Sequence, residues 1–302
     1  MATEGRLFDR RYILKVFKQG EPTALTIDSL AINFKISKSG RNTLMGSDKC
    51  RIEIVNPSTD TINTIRQENT FIELQLGYAS GVKRVFIGKV EADGIDVNDN
   101  GIDRIVKIKA SPAGNTFRET FMSLTIPPKT NLKAAVTKFK DVASKISPEL
   151  VNSIKSIEFQ DILNSVMLED GLSHTGSFKT ALDKISKLAD VDYYVDGETL
   201  YVKKINEAIA SKELQGLVLT ASTGLLDKPF IQSKDSASIS STSSNRNRVE
   251  FKTLINAELL CGVPVKIQSD EVDGWFSIED ISFVGQLRGD DWYAKCIGVA
   301  IS

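Results

Sequence analysis

Phe71-Ile-Glu-Leu-Gln-Leu-Gly-Tyr78-Ala-Ser-Gly81-Val-Lys-Arg-Val-Phe86-Ile-Gly88-Lys-Val90 decides the class of this 302-residue chain. Ile72, Leu74 and Leu76 fall on one side of an extended backbone, and Phe71, Glu73 and Gln75 on the other. Successive side chains of a strand point to opposite faces, so the alternation marks a half-buried β-strand. Ala79-Ser80-Gly81 reads as a turn, and a second apolar run begins at Val85. Two such runs around a short glycine-containing turn predict a β-hairpin.

The flanking sequence has the same texture. Tyr12, Leu14 and Val16 alternate with polar neighbours, as do Leu30, Ile32, Phe34 and Ile36. The polar stretch 37–42 reads as a loop. Residues 50–55 form a further strand, which stops at Asn56-Pro57 because proline cannot donate to a ladder. Ser58 is placed to cap a short helix carrying Ile62 and Ile65. Residues 104–110 make the next strand, reached through the turn Asn98-Asp-Asn-Gly101. Residues 1–112 therefore predict a small β-barrel or sandwich.

At Ser111-Pro112 the pattern changes. After Pro127-Pro128, Thr130 or Asn131 caps a helix whose apolar stripe is Leu132, Val136, Phe139, Val142 and Ile146, ended by Pro148. Residues 154–159 read as a short strand. Phe178, Leu182, Ile185 and Leu188 predict a second amphipathic helix capped by Ser177. Tyr193-Tyr-Val195 and Thr199-Leu-Tyr-Val202 flank the turn pair Asp196-Gly197, a hairpin signal. Residues 113–208 thus form an α+β insert.

β texture returns from Gly216. Leu217-Val-Leu219, Val249-Glu-Phe251, Pro264-Val-Lys-Ile267, Trp275-Phe-Ser-Ile278-Glu-Asp-Ile281 and the run from Trp292 to Val299 are strand-like. Asp273-Gly274 and Arg288-Gly-Asp-Asp291 read as turns. The Ser-rich segment 233–248 is too polar to build a core and reads as a mobile loop. Segments 71–110 and 263–301 share an order of strand, turn, apolar strand, polar turn and long closing strand, a loose internal repeat. The expected fold is mainly β with an α+β insert: antiparallel barrels at 1–112 and 209–302 flank a mixed domain at 113–208.

Composition narrows the function. With 38 basic and 39 acidic residues, the chain lacks the basic excess of a protein that holds nucleic acid by phosphate neutralisation. No apolar run reaches the ~18 residues of a membrane span. The first residues, Met1-Ala-Thr-Glu-Gly-Arg6, contain no signal-peptide core, so assembly in a cytoplasm is expected. Cys50, Cys261 and Cys296 are odd in number and far apart, which suggests neither disulfides nor zinc. Cys50 and Cys296 fit buried free thiols.

Candidate chemistry is sparse. His174 is the single histidine, and its surroundings, Gly171-Leu-Ser-His-Thr-Gly176, miss the nucleophile elbow because Thr175 stands where glycine is required. A loop histidine is the expected role. Asp96-Val-Asn98-Asp-Asn100-Gly101 resembles half a calcium loop, but Lys107 occupies the position of the bidentate glutamate, so a hairpin turn is expected. The carboxylate pairs Glu279-Asp280 and Asp290-Asp291 have no pattern that places them in one cleft. Trp275, Phe276, Trp292 and Tyr293 fit barrel core, or an aromatic anchor at a subunit contact. We expect no catalytic, metal or cofactor residues.

The order of these phrases carries a resemblance. Ile-Glu-Ile-Val-Asn (52–56), Ile-Glu-Leu-Gln-Leu-Gly-Tyr (72–78), Val-Phe-Ile-Gly-Lys-Val (85–90), Thr223-Gly-Leu-Leu-Asp-Lys-Pro229, Gly262-Val-Pro-Val-Lys-Ile267, Gly274-Trp-Phe-Ser-Ile278 and Gly289-Asp-Asp-Trp292 follow one another as in the baseplate hub proteins of tailed bacteriophages. The resemblance covers most of the chain; the segment 233–248 has no counterpart in it. It implies a structural virion protein, not an enzyme: a homotrimer with two tail-tube-like barrels per chain, forming a pseudo-sixfold ring in the tail baseplate. Its implied partners are the central spike protein, the tail tube protein, other baseplate proteins and the tape-measure protein, and DNA only transits the lumen. The alternatives are a tail-associated cell-wall hydrolase, which needs clustered carboxylates or a metal, and a carbohydrate-binding module, which needs exposed tryptophans.

Overall fold

The N-terminal alternating runs become β1 (Arg10–Lys18), β2 (Leu25–Ile27), β3 (Ile32–Ser39), β4 (Lys49–Val55), β5 (Thr70–Tyr78), β6 (Gly81–Asp99) and β7 (Arg104–Ser111), with helix α1 (Thr59–Ile65) between β4 and β5. The computed structural model describes residues 9–18, 24–40, 49–99, 101–112, 120–147, 156–159, 161–196, 199–205, 216–232 and 248–301. Segment 233–247 and the turn residue Gly197 lie outside these, as does Pro148.

The hairpin expected at 71–90 is β5–β6, closed by a two-residue turn with Tyr78 opposite Gly81. Ile72, Leu74 and Leu76 are fully buried. The register slips between Leu74, opposite Phe86, and Gln75, opposite Arg84. Val85 is the extra residue of this bulge. A bulge lets adjacent side chains share a face, which is why Val85 and Phe86 are both buried. Ser58 caps α1 through the Thr61 N–H at 3.1 Å, and Ile62 and Ile65 are buried as expected.

The insert comprises β8 (Phe121–Ile126), β9 (Thr130–Asn131), α2 (Leu132–Ile146), β10 (Ser156–Phe159), β11 (Met167–Leu168), β12 (Leu172–Ser177), α3 (Phe178–Ala189), β13 (Val191–Asp196) and β14 (Thr199–Lys204). Asn131 caps α2 and Ser177 caps α3. The inward face of α2 is Leu132, Ala135, Val136, Phe139 and Ala143, while Ile146, expected in the stripe, is exposed. Leu188 is likewise exposed near the end of α3. The helices meet at Phe139 and Phe178, ring edge to face at 6.1 Å. Their apolar residues form a core separate from that of the large sheet.

The C-terminal strands are β15 (Leu217–Leu219), β16 (Leu225–Gln232), β17 (Arg248–Leu254), β18 (Pro264–Gln268), β19 (Asp273–Gln286) and β20 (Trp292–Ala300). Asp273-Gly274 is the start of β19, not a turn. The reversal lies one step earlier, where Ser269 accepts the Val272 N–H at 3.0 Å. β19 also runs unbroken past Ile281, with a register shift between Ile278 and Asp280.

The fold is mainly β, but its strands do not sort into two separate rings. The pairing follows one open path, β16-β17-β20-β19-β3-β4-β7-β6-β5-β1-β2, with β18 on β19 and β15 on β18, making a 13-stranded sheet. All pairs of this sheet are antiparallel except β15–β18, and in the insert β10 runs parallel to β14. Among the described residues this path does not close on itself. The joint between the halves is β3 against β19, where Phe283 faces Ile36 and Gly285 faces Phe34. This joint overturns the expected loop at 37–42: Ser37, Lys38 and Ser39 are polar but extend β3, because they pair with Ser282, Ile281 and Asp280.

The internal repeat goes further than the sequence pattern. β3-β4-β7-β6-β5-β1 in the first half has the same neighbour order as β16-β17-β20-β19-β18-β15 in the second. The aligned rows agree in register. Cys50–Ala110–Val90 corresponds to Val249–Gly298–Ile278, each just before the bulge of β6 or β19.

Candidate assembly surface

The seam between the halves shows what this chain builds well. Phe34 and Trp292 meet edge to face at 5.3 Å on either side of Gly285. A Cβ on Gly285 would fall 2.2 Å from Phe34 Cζ, so glycine is needed for the rings to touch. Leu287 N–H donates to Ile32 O at 3.0 Å, and Gly40 N–H to Glu279 O at 2.6 Å, closing the two ends of the seam. Arg10, from β1, caps it from outside by donating to the carbonyls of Gln286, Gly289 and Asp290 in the β19–β20 turn.

The insert is tied to this sheet by its β13–β14 hairpin. Tyr194 is buried, stacks on Tyr201 at 5.0 Å, and donates its hydroxyl to the Cys261 carbonyl. Tyr193, on the opposite face, donates to Asp183 of α3. Burial, with the Asp183 hydrogen bond and charge, raises the Tyr193 phenol well above its ordinary range.

Candidate chemical groups are dispersed. His174 lies in β12, not in a loop: it pairs with Leu124, is buried, and has Nε2 at 3.2 Å from Thr180 Oγ1. The expected loop arose from the two flanking glycines, which the ribbon with β8 accommodates. Ser173 is exposed, and alternation turns it to the face opposite His174, so the two cannot act as a couple. Asp96 sits opposite Lys107 in the β6–β7 ladder, and Asp99 accepts from the Gly101 N–H at 3.0 Å and from Arg104 at 3.3 Å. Those bonds, the Gly101 one foremost, hold the Asp99 carboxyl below its usual range, and the turn uses it fully. Glu279 is buried in the middle of β19, with Arg248 3.5 Å from its carboxylate. Asp290 and Asp291 lie past the far end of that strand, about 20 Å along it at strand rise. The two carboxylate pairs therefore share no cleft.

The four aromatic candidates part company. Trp292 and Phe276 are core. Tyr293 faces outward under Lys252, whose Nζ is 4.1 Å from the ring centroid. Trp275 is 43% exposed and shares an outward row with Lys266 and exposed Val218.

Other outward features are sheet edges. β16 has no partner beyond β17 among the described residues, and exposes Phe230 and Ile231. β6 loses β5 after Lys89 and continues to Asp99, paired among the described residues with β7 alone. Unpaired edges and stranded apolar side chains suit protein contact more than small-molecule chemistry. Alternation signalled the strands, but nothing local in the sequence distinguished an edge from a centre.

Solved structures with this arrangement are phage-tail and secretion-system proteins. The tail protein of Neisseria meningitidis MC58 superposes with TM-score 0.62 at 11% identity, covering 95% of this chain and 96% of that one. The 43 kDa tail protein of prophage MuSo2 from Shewanella oneidensis gives TM-score 0.59 at 12% identity, with 97% and 98% covered. The E. coli c3393 protein, a component of the type VI secretion system, gives 0.56 at 9% identity, with 95% and 77% covered. At such identities the likeness establishes the fold alone. The chain belongs to the baseplate hub gp41 family, whose model matches residues 13–298. No curated protein matches the sequence. Its role is structural, within a phage-type baseplate.

Proposed function

We propose that this protein is the central hub of a tail baseplate: a trimer in which each chain supplies two tube-like halves to a pseudo-sixfold ring. Residues 1–112 and 209–302 are the two halves and 113–208 the insert. The ring joins the tail tube to the central spike, and DNA and the tape-measure protein pass through its lumen. Assembly takes place in the host cytoplasm before incorporation into the virion.

The observation that carries this reading is the duplicated strand order, in a chain matched by the hub family over residues 13–298. A trimer of duplicated chains offers six similar units, the number needed to meet a sixfold tube with a threefold spike. A net charge of −1 suits a conduit, which must not retain DNA. Light scattering of the chain with its spike protein tests the reading. Three hub chains per complex support it, and a chain that stays monomeric with spike and tube proteins defeats it.

A further inference from the structure

We propose that the outer face of the large sheet carries a docking lane for an extended acidic peptide with apolar side chains at one end, formed by Leu254, Tyr293, Val284, Lys35, Arg51 and Lys109. The lane belongs to a single chain, so it goes beyond the hub reading and stands whether or not a ring forms.

The lane is one row of the register across six neighbouring strands. Leu254 of β17 lies opposite Tyr293 of β20, Tyr293 opposite Val284 of β19, and Val284 opposite Lys35 of β3. Lys35 lies opposite Arg51 of β4, and Arg51 opposite Lys109 of β7. The adjacent row, Thr253, Ala294, Phe283, Ile36, Cys50 and Ala110, is buried throughout. Alternation therefore turns the lane outward. Lys35, Arg51 and Lys109 are exposed, and Leu254, Tyr293 and Val284 are half-buried. At the spacing of neighbouring strands the row is ~24 Å long, which about seven residues of extended chain can span.

The fold does not account for the charges. Like charges directly opposite one another destabilise an antiparallel pair, yet three cations stand side by side here. Among the described residues none of the three makes an ion pair. Two residues further along, the same sheet alternates its signs: Glu53 lies opposite Lys107 and Lys107 opposite Asp96, with Glu53 and Lys107 3.6 Å apart. Lys49, two residues from Arg51 on the same face of β4, is another exposed cation with no ion pair among the described residues. Glu91 and Asp93, in the irregular part of β6 that follows Val90, are exposed and do not bridge to Lys109. In a chain of net charge −1, cations gathered in this way fit an anionic partner.

The partner's chemistry follows from the rest of the row. Half of it is apolar: Leu254, Val284 and the Tyr293 ring, which has Lys252 Nζ 4.1 Å from its centroid. A nucleic-acid backbone gains nothing from that half. The carboxylates of Glu53 and Asp96, in the flanking row of the same face ~7 Å away, also disfavour a polyanion as broad as a duplex. A peptide satisfies both halves at once. Its carboxylates meet Lys35, Arg51 and Lys109, and its apolar side chains cover Val284, Tyr293 and Leu254.

The test is fluorescence anisotropy on the full chain at low salt, with a labelled peptide that is glutamate-rich in one half and leucine-rich in the other. Binding is expected, and Lys35→Glu and Arg51→Glu should each weaken it about fivefold or more. Val284→Ser should weaken it about threefold, through lost apolar contact. Lys107→Gln, outside the lane and already paired, should change it by less than about twofold. About 1 M salt, where the Debye length is ~3 Å, should release most of the peptide. Arg51→Glu should leave the melting temperature unchanged or raised, because it gives the row alternating signs. A lowered melting temperature would assign Arg51 to the fold and overturn the lane. So would absence of binding at low salt, an equal loss in Lys107→Gln, or duplex DNA binding more tightly than the peptide. None of these results touches the hub reading, which light scattering with the spike protein decides.

Discussion

The guanidinium of Arg10 donates to the carbonyl of Gly289 at 2.5 Å, joining positions 279 residues apart. It also reaches Asp290 O at 3.1 Å and lies 5.8 Å from the Trp292 ring centroid. β1 of the first half thereby holds the β19–β20 turn of the second. Arg10→Ala should lower unfolding stability by about 1–3 kcal/mol, since partly buried carbonyls lose a charged donor. Arg10→Lys should restore less than half of that, because a single ammonium cannot match the fork. Urea titrations measure both, and equal midpoints for Arg10→Ala and the native chain would remove the clamp from the account.

Gly285 makes a second prediction. A methyl group at this position would collide with Phe34 and come within 2.9 Å of Trp292. Gly285→Ala should destabilise by about 1–3 kcal/mol through overpacking, and Phe34→Leu in the same chain should recover part of the loss. Near-ultraviolet circular dichroism should report the displaced Trp292. An unchanged spectrum and stability would show that the seam is loosely packed.

Alkaline pH should unfold the protein earlier than a surface-tyrosine count implies. Burial, aided by the Asp28 charge, pushes the Tyr12 phenol up to about 12, and burial does the same to Tyr78. Burial drives the Cys50 and Cys296 thiols upward too. These groups stay protonated in the fold while the unfolded chain releases its protons, from about pH 9 for thiols and pH 10 for phenols. Their contribution to stability is therefore complete below pH 9 and falls as pH rises through 10 to 12. Tyrosinate absorbance should appear in step with loss of the sheet signal. Smooth titration of Tyr12 and Tyr78 in an intact fold would contradict the burial described.

Tyr194 anchors the insert, so Tyr194→Phe should loosen it selectively. The Cys261 carbonyl loses its donor at a cost of about 1 kcal/mol. Hydrogen exchange should quicken in β13 and β14 more than in β4 or β7. Uniform acceleration across the chain would mean that the tyrosine supports the whole fold.

Local pattern revealed most strands and both insert helices, because alternation and capping are short-range signals. Tyr12-Leu14-Val16 and Ser58 with Ile62 read as they stand. What escaped depends on distant partners. Ser37–Ser39 looks like a loop until β19 arrives to pair with it. His174 sits in a strand only because β8 lies alongside. Val85 and Phe86 break alternation through a bulge that no residue announces. Asp273-Gly274 carries turn residues, yet Ser269 makes the turn. The candidate surface was harder still: Ile231 and Val97 look like ordinary strand residues, and only the open sheet path shows them at edges.

In the proposed hub the repeated halves build a ring around a lumen. Cryo-electron microscopy of the full chain bound to its spike protein tests it most directly. The expected result is three copies arranged as six similar units around an open channel. A complex holding one copy, or a closed assembly with no channel on its axis, would contradict it.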